Sequence, residues 1–420
     1  MLEEKITDHS RIQRKAFKLI IVLGLVSLFG DMIYEGARSI NGPYLGVLGA
    51  SAAMVGLIVG VGEFLGYGIR LISGFFSDKT KAYWFFTIAG YGLLFTIPLL
   101  CLAEIWQLAA LFIISERIGK ALRNPSRDTI LSQATKQIGT GFGFGLHEFI
   151  DQIGAIIGPL IFVVFFFSLG TNTAAISDYQ RSYSYLWVPF ILMMIFVFIA
   201  YWLVKKPEEL EQTDLTTIQQ PDRLSRTFWL YVLFSFITTI GFINFALIGY
   251  HLKAQRLVSD AEIPLFYLIA MAVDAVIALL SGKLYDRCKT KQKNVQAGLQ
   301  TLLLIPLLSL VIPFFAFSQN YLFILASVIL WGVVMGSHET IMRSAIADIT
   351  PLKKRGTGYG IFTTSYGLAL FIGSVLVGVL YEYSLSLLVA VLVIIEIISI
   401  PAFVALCKTC SKQREIRTAQ

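Results

Sequence analysis

Six carboxylates, four bases and one histidine stand inside stretches of this sequence that are otherwise apolar. Asp31, Glu35 and Arg38 share one run, Glu63 and Arg70 a second, Glu116, Arg117 and Lys120 a third, and His147, Glu148 and Asp151 a fourth. An ionised side chain at the centre of a bilayer costs roughly 2.5–3.5 kcal/mol on insertion scales, so such residues are functional or paired. The near balance of acids and bases points to ion pairs, which limit the desolvation penalty. Spacings of i, i+4 and i+7 put Asp31, Glu35 and Arg38 on one helical face, and Glu63 shares a face with Arg70. A base beside a carboxylate competes with a proton for it, so the chemistry on offer is proton uptake and release, together with the holding of a charged solute. Asp31 has its nearest same-helix base two turns away, at Arg38, which makes it the first choice for a proton-carrying group.

The second half of the chain is emptier. Asp274 sits mid-run with no base inside the apolar segments, Glu396 has no evident partner, and Glu339 with Arg343 reads as a structural i, i+4 pair. His147 and Asp151 are spaced to share a metal, with Asp31 or Glu35 as a further ligand, but no second histidine is near and no metal is expected. His338-Glu339 lacks the second histidine of a metalloprotease, and Cys407-Lys408-Thr409-Cys410 has zinc-like spacing without a second pair. Gly139 to Gly143 is not a phosphate loop, since no Lys-Ser/Thr follows. With no nucleophile–base constellation, neither an enzyme nor a cofactor is expected.

The elements that must position these residues follow from composition. The 420 residues are 56% apolar and 15% charged, against roughly 45–50% and 25% for soluble domains, which excludes an ordinary soluble protein. Unbroken runs such as Leu160 to Phe167 exclude the alternation of a membrane β-barrel. At about 20 residues per crossing, twelve helical spans are expected, near 17–40, 52–77, 82–103, 106–123, 140–168, 184–204, 227–250, 264–284, 294–317, 321–341, 357–381 and 384–407. With the N-terminus cytoplasmic, 27 of the 34 Lys and Arg residues fall in inner segments and three (Arg181, Lys253, Arg256) in outer loops. That asymmetry places both termini inside. It also accounts for the +7 net charge, so no nucleic-acid partner is needed.

The chain repeats itself. Gly74-Phe75-Phe76-Ser77-Asp78-Lys79 follows span two, and Gly282-Lys283-Leu284-Tyr285-Asp286-Arg287 follows span eight. Gly139-Thr140-Gly141-Phe142-Gly143 precedes span five, and Gly356-Thr357-Gly358-Tyr359-Gly360 precedes span eleven. Matches at similar offsets in equivalent loops argue for parallel repeats. In helix count, orientation and these two motifs, nearly the whole chain resembles the major facilitator superfamily, although Lys79-Thr80-Lys81 replaces its usual longer basic run. The resemblance implies an all-α polytopic membrane protein with two six-helix bundles, 17–204 and 227–407. An N-terminal tail 1–16, a central cytoplasmic loop 205–226 and a C-terminal tail 408–420 complete the organisation. It also implies that Asp78, with Asp286 as its counterpart, ties the halves together when the cavity faces outward. Gly154-Ala155-Ile156-Ile157-Gly158-Pro159-Leu160-Ile161 partly resembles the motif of the antiporter branch, and Arg117 with Gly119 resembles the family's span-four arginine motif that assists proton transfer.

The reading that follows is a secondary transporter of the cytoplasmic membrane, monomeric, moving a small molecule by alternating access. Proton-coupled export by antiport leads. A proton-coupled importer of a metabolite or siderophore-like anion, held by Arg117 and Lys120, is the alternative, and a membrane-embedded enzyme or receptor stands third.

Overall fold

The computed structural model describes residues 2–135, 138, 140–207, 224–291, 299–342, 345–346, 349–350 and 355–418, and among these it is helical with no strand. In chain order the helices are α1 (Leu2–Val47), α2 (Ala52–Thr80), α3 (Tyr83–Gly92), α4 (Trp106–Thr135), α5 (Thr140–Ser168), α6 (Ile176–Ser184) and α7 (Trp187–Leu203). Then follow α8 (Arg226–Gly241), α9 (Phe245–Ala254), α10 (Glu262–Lys291), α11 (Leu304–Ala316), α12 (Tyr321–Ser337), α13 (Arg355–Tyr383) and α14 (Leu385–Thr418). Tight 3-10 turns Leu93–Thr96 and Pro98–Leu102 extend α3, and a π turn His338–Met342 extends α12.

Ten of these segments are long and apolar enough to cross a membrane, with Tyr83–Leu102, Ile176–Leu203 and Arg226–Ala254 each counted as one. The shorter Gln300–Ala316 and the charge-rich α4 complete twelve passes among the described residues. Boundaries differ from expectation at several places: α4 runs on to Thr135, and α10 and α14 run on to Lys291 and Thr418. α1 begins at Leu2, because the hydrophilic N-terminal residues continue the helix before the apolar run starts. α2 continues to Thr80, so Asp78 and Lys79 stand exposed in its last turn rather than in a loop. Span seven is broken: α8 stops at Gly241, Phe242 is extended (φ −83°, ψ 118°), and α9 restarts behind Asn244, whose side chain accepts from Ala246 N at 3.0 Å. Trp331 Nε1 donates to the Ile243 carbonyl in that break at 2.8 Å, satisfying a backbone group that a continuous helix would have paired.

The chain divides into two compact units, Met1–Leu48 with Leu65–Thr217, and Gly49–Phe64 with Ile218–Gln420. The first half of α2 thus belongs with the C-terminal helices, where Gly56 and Gly60 let it meet the backbone of α13 at Ser374 and Phe371. In the first unit the tightest seam runs between α1 and α5. A Cβ on Gly154 would stand 2.1 Å from the Leu28 carbonyl oxygen, and one on Gly158 would stand 2.5 Å from that of Met32. Small residues permit this approach, which gains dispersion contacts and buries the backbone where lipid offers no hydrogen bonds. The corresponding seam of the second unit, α8 with α13, is built likewise, Gly373 facing the Ile240 carbonyl. The central loop 205–226 lies largely outside the described residues.

Candidate functional site

Five helices of the first unit converge on one cluster of charge. α1 contributes Ser27, Asp31, Tyr34, Glu35 and Arg38, whose spacings of three and four keep them on one face. α4 contributes Glu116, Arg117, Lys120, Arg123 and Arg127, and α5 His147 and Asp151. Tyr91 comes from α3 and Arg70 from the part of α2 beyond Leu65.

Tyr34, 4% exposed, gathers three cations. Lys120 Nζ lies 3.6 Å from its ring centroid, and the guanidinium carbons of Arg117 and Arg38 lie at 4.6 and 5.4 Å. Each such contact contributes ~0.5–2 kcal/mol through the ring's quadrupole, more where water is excluded. Arg117 also donates to the Tyr34 hydroxyl. Arg38 Nη1 stands 3.6 Å from Glu35 Oε1, and Arg70 lies over the Tyr67 ring at 4.5 Å.

The carboxylates are distributed between these bases. Lys120 is within electrostatic range of both Glu35 and Asp31, as well as of Arg117 and Arg70. Asp31 is within range of Asp151, Glu35, Lys120 and Arg123. Arg117 Nε lies 3.6 Å from Oε2 of its own neighbour Glu116, and Arg123 Nη2 lies 3.9 Å from Glu116 Oε1. Of the two bases expected opposite Asp31 and Glu35, Lys120 is within range of both.

A second layer continues from α4 into α5. Ser27 Oγ lies 3.0 Å from His147 Nε2 and 3.2 Å from the Tyr91 hydroxyl, and it accepts from Arg127 Nη1 at 3.2 Å. Arg127 pairs with Asp128 at 2.8 Å, and the Arg123 guanidinium sits 5.0 Å from the Tyr91 centroid. Asp151 is within range of Arg127, Glu148, Lys120 and Arg123, and its Oδ1 is buried with no hydrogen-bond partner among the described residues. Ligand atoms of His147, Glu148 and Asp151 lie within 4.8 Å of one another. Arg127, within range of His147 and Asp151, holds a fixed positive charge there and opposes a divalent cation.

Sequence reasoning missed Arg123, Arg127, Tyr34, Tyr91 and Ser27. The signal for the two arginines was present: Glu116, Lys120, Arg123 and Arg127 follow a spacing of four, three and four along one face of α4. Ending span four at 123 hid it, since Arg123 then stood at the span's edge and Arg127 beyond it. Other expected residues lie elsewhere. Glu63, 4% exposed, belongs to the second unit, as does Asp274, 3% exposed and packed against Gly336 of α12. Glu148 is exposed, as are Asp78, Lys79 and Arg287. Gly74 lies against Pro125, and Gly282 against Thr340. The side chains of Asp286 and Glu339, and Arg343, fall outside the described residues.

The sequence pattern of the Major Facilitator Superfamily matches residues 21–373 and 298–415. The chain belongs to that superfamily. An uncharacterized protein of Mycobacterium tuberculosis is 36% identical over 390 residues, 92% of each chain. An uncharacterized MFS-type transporter of Methanocaldococcus jannaschii is 24% identical over 391 residues, 91% of this chain and 93% of that one. Among solved structures, the nucleoside transporter NupG superposes with a TM-score of 0.71 at 13% identity, covering 92% of this chain and 99% of its own. An inward-facing bacterial homologue of the human lysosomal transporter Spinster gives 0.69 at 15% identity, covering 95% and 98%. As a superfamily member, the chain is a multi-pass membrane protein of the twelve-helix fold that carries out secondary transport of a small molecule. The superfamily is one of transporters and not of enzymes.

Proposed function

We propose that this transporter exports its solute from the cytoplasm in exchange for protons, working as a monomer in the cytoplasmic membrane with both termini inside. The observation that carries the reading is Asp31 of α1, within electrostatic range of Asp151 on α5 and of Lys120 and Arg123 on α4. A carboxylate that shares a base with a second carboxylate gains a proton when the base swings away and loses it when the base returns. Asp31 is the coupling group, Lys120 and Arg123 are the competing bases, and Asp151 is the relay toward α5. Arg117, tied to Tyr34 and Glu116, braces α1 against α4. The direction of transport rests on Gly154, Gly158 and Pro159, whose arrangement is similar to that of the antiporter branch. Asp78 and Asp286 serve as the gate residues that the family resemblance implies.

The test is reconstitution into liposomes with an internal pH dye, screened against a broad panel of compounds. Asp31→Asn should fold, still exchange substrate between the two sides, and no longer respond to a pH gradient. Proton-driven flux equal to that of the parent would remove Asp31 from the coupling role. Loss of folded yield together with all exchange would make it a brace. A second reading, import of an organic anion with protons, is favoured by the three cations around Tyr34. In the same liposomes it gives dye acidification with substrate entry, whereas antiport gives the opposite sign.

A further inference from the structure

The second unit holds a buried carboxylate with no base against it among the described residues. Glu396, midway along the membrane-spanning part of α14, has 0% of its surface exposed. Its Oε2 accepts a 2.8 Å hydrogen bond from Thr238 Oγ1 on α8, while its buried Oε1 has no hydrogen-bond partner among the described residues. The helices packed on α14 are α8, α11 and α13. α11 carries no titratable residue. On α8 the only formal charge is Arg226, twelve residues from Thr238 and so roughly 18 Å along the axis. Tyr231 of α8 and Tyr359, Tyr366, Tyr381, Glu382 and Tyr383 of α13 make no hydrogen bond or ion pair with Glu396 among the described residues, and the side chain of Arg355, the first residue of α13, lies outside them.

Two features of α8 bear on the free oxygen. A Cβ at Gly241 would stand 2.4 Å from Glu396 Oε1, so the glycine lets the carboxylate seat against the backbone. Gly241 is also the last residue of α8, where span seven breaks. The last carbonyls of a helix lack intrahelical donors, and that end carries partial negative charge. A carboxylate pressed against it, away from water and from any base among the described residues, needs a positive charge of its own. Broken helices with carbonyl ends at mid-membrane are suited to holding small cations.

We propose that Glu396, Thr238 and the carbonyl end of α8 form a site for a small cation, a proton or a sodium ion, independent of the Asp31 cluster. The purified full-length protein and Glu396→Gln are compared by infrared difference spectroscopy and by thermal unfolding in sodium or choline chloride at constant ionic strength. Glutamine has the shape of the neutral acid and keeps an acceptor for Thr238. With a proton in the site, the parent shows a carboxylic-acid carbonyl band that Glu396→Gln removes, and sodium shifts neither melting curve. With sodium in the site, sodium raises the melting temperature of the parent by several degrees and leaves the variant unmoved. No band lost and no sodium response lost overturns the proposal. If Glu396→Gln yields no folded protein, Thr238→Val takes its place: it must shift the band or weaken the sodium response, and doing neither is equally fatal.

Discussion

Glu116→Gln tests whether the charge cluster is held by Coulombic balance. Glu116 is 2% exposed, and its two carboxylate oxygens lie 3.6 Å from Arg117 Nε and 3.9 Å from Arg123 Nη2. At an effective dielectric of about 20, each attraction is roughly 4–5 kcal/mol before desolvation is subtracted. Removing one partner of a buried pair costs about 3–5 kcal/mol net, because the remaining charge stays buried without compensation. Here two guanidiniums lose their shared acid, but each keeps an aromatic face, Tyr34 for Arg117 and Tyr91 for Arg123. Those contacts, at ~0.5–2 kcal/mol each, bring the expected loss to the lower end, about 3 kcal/mol. Heating a fluorescent-protein fusion in detergent and following the monodisperse fraction by size exclusion ranks the variants. A calibrated denaturant titration then gives the difference in free energy. The double variant Glu116→Gln with Arg123→Gln restores charge balance and should be more stable than the sum of the single losses predicts. If Glu116→Gln unfolds within about 0.5 kcal/mol of the parent, the scale of an ordinary surface change, the acid is not balancing the arginines. A double variant no better than additive would refute the pairing with Arg123 in particular.

Gly158→Ala should cost ~1–3 kcal/mol or more, since its Cβ would meet the Met32 carbonyl and the Gly36 amide at 2.5 and 2.8 Å; the same denaturant titration reads it, and a neutral result would mean that α1 and α5 separate easily. Trp331→Phe should loosen the break in span seven by ~1–3 kcal/mol, because it leaves the Ile243 carbonyl without its donor; faster hydrogen exchange at 242–245 checks it. Asp78→Asn should leave unfolding unchanged but shift the inward-facing population by ~1–3 kcal/mol, read by spin-label distances across the cytoplasmic side; an unchanged distribution counts against the gate. Cysteine in place of Asn172 should react only with reagent added from outside, whereas cysteine in place of Lys205 should react only from inside, and the reverse pattern refutes the orientation.

The apolar runs, the Lys and Arg asymmetry and the two loop motifs made the membrane class, the twelve-pass fold and the superfamily legible from residues alone. Each of these is a one-dimensional property: bilayer thickness fixes the length of a span, and the repeat lies in the sequence itself. Charged positions inside the spans were visible for the same reason, since lipid tolerates so few of them. Which charge meets which was not, because it depends on helix rotation and seam depth. Gly154 and Gly158 press α5 onto α1, and only that approach sets Asp151 within reach of Asp31. Lys120 lies within range of Asp31 while Arg117 lies against Tyr34 and Glu116, an arrangement set by how α1 and α4 pack on each other. Arg123 at the expected span edge and Arg127 beyond it joined the cluster only because α4 continues to Thr135 and carries them on the same face as Lys120. Glu396, without a partner in the sequence, meets Thr238 and the end of α8, since the break at Phe242–Asn244 is held by a tryptophan 88 residues further on.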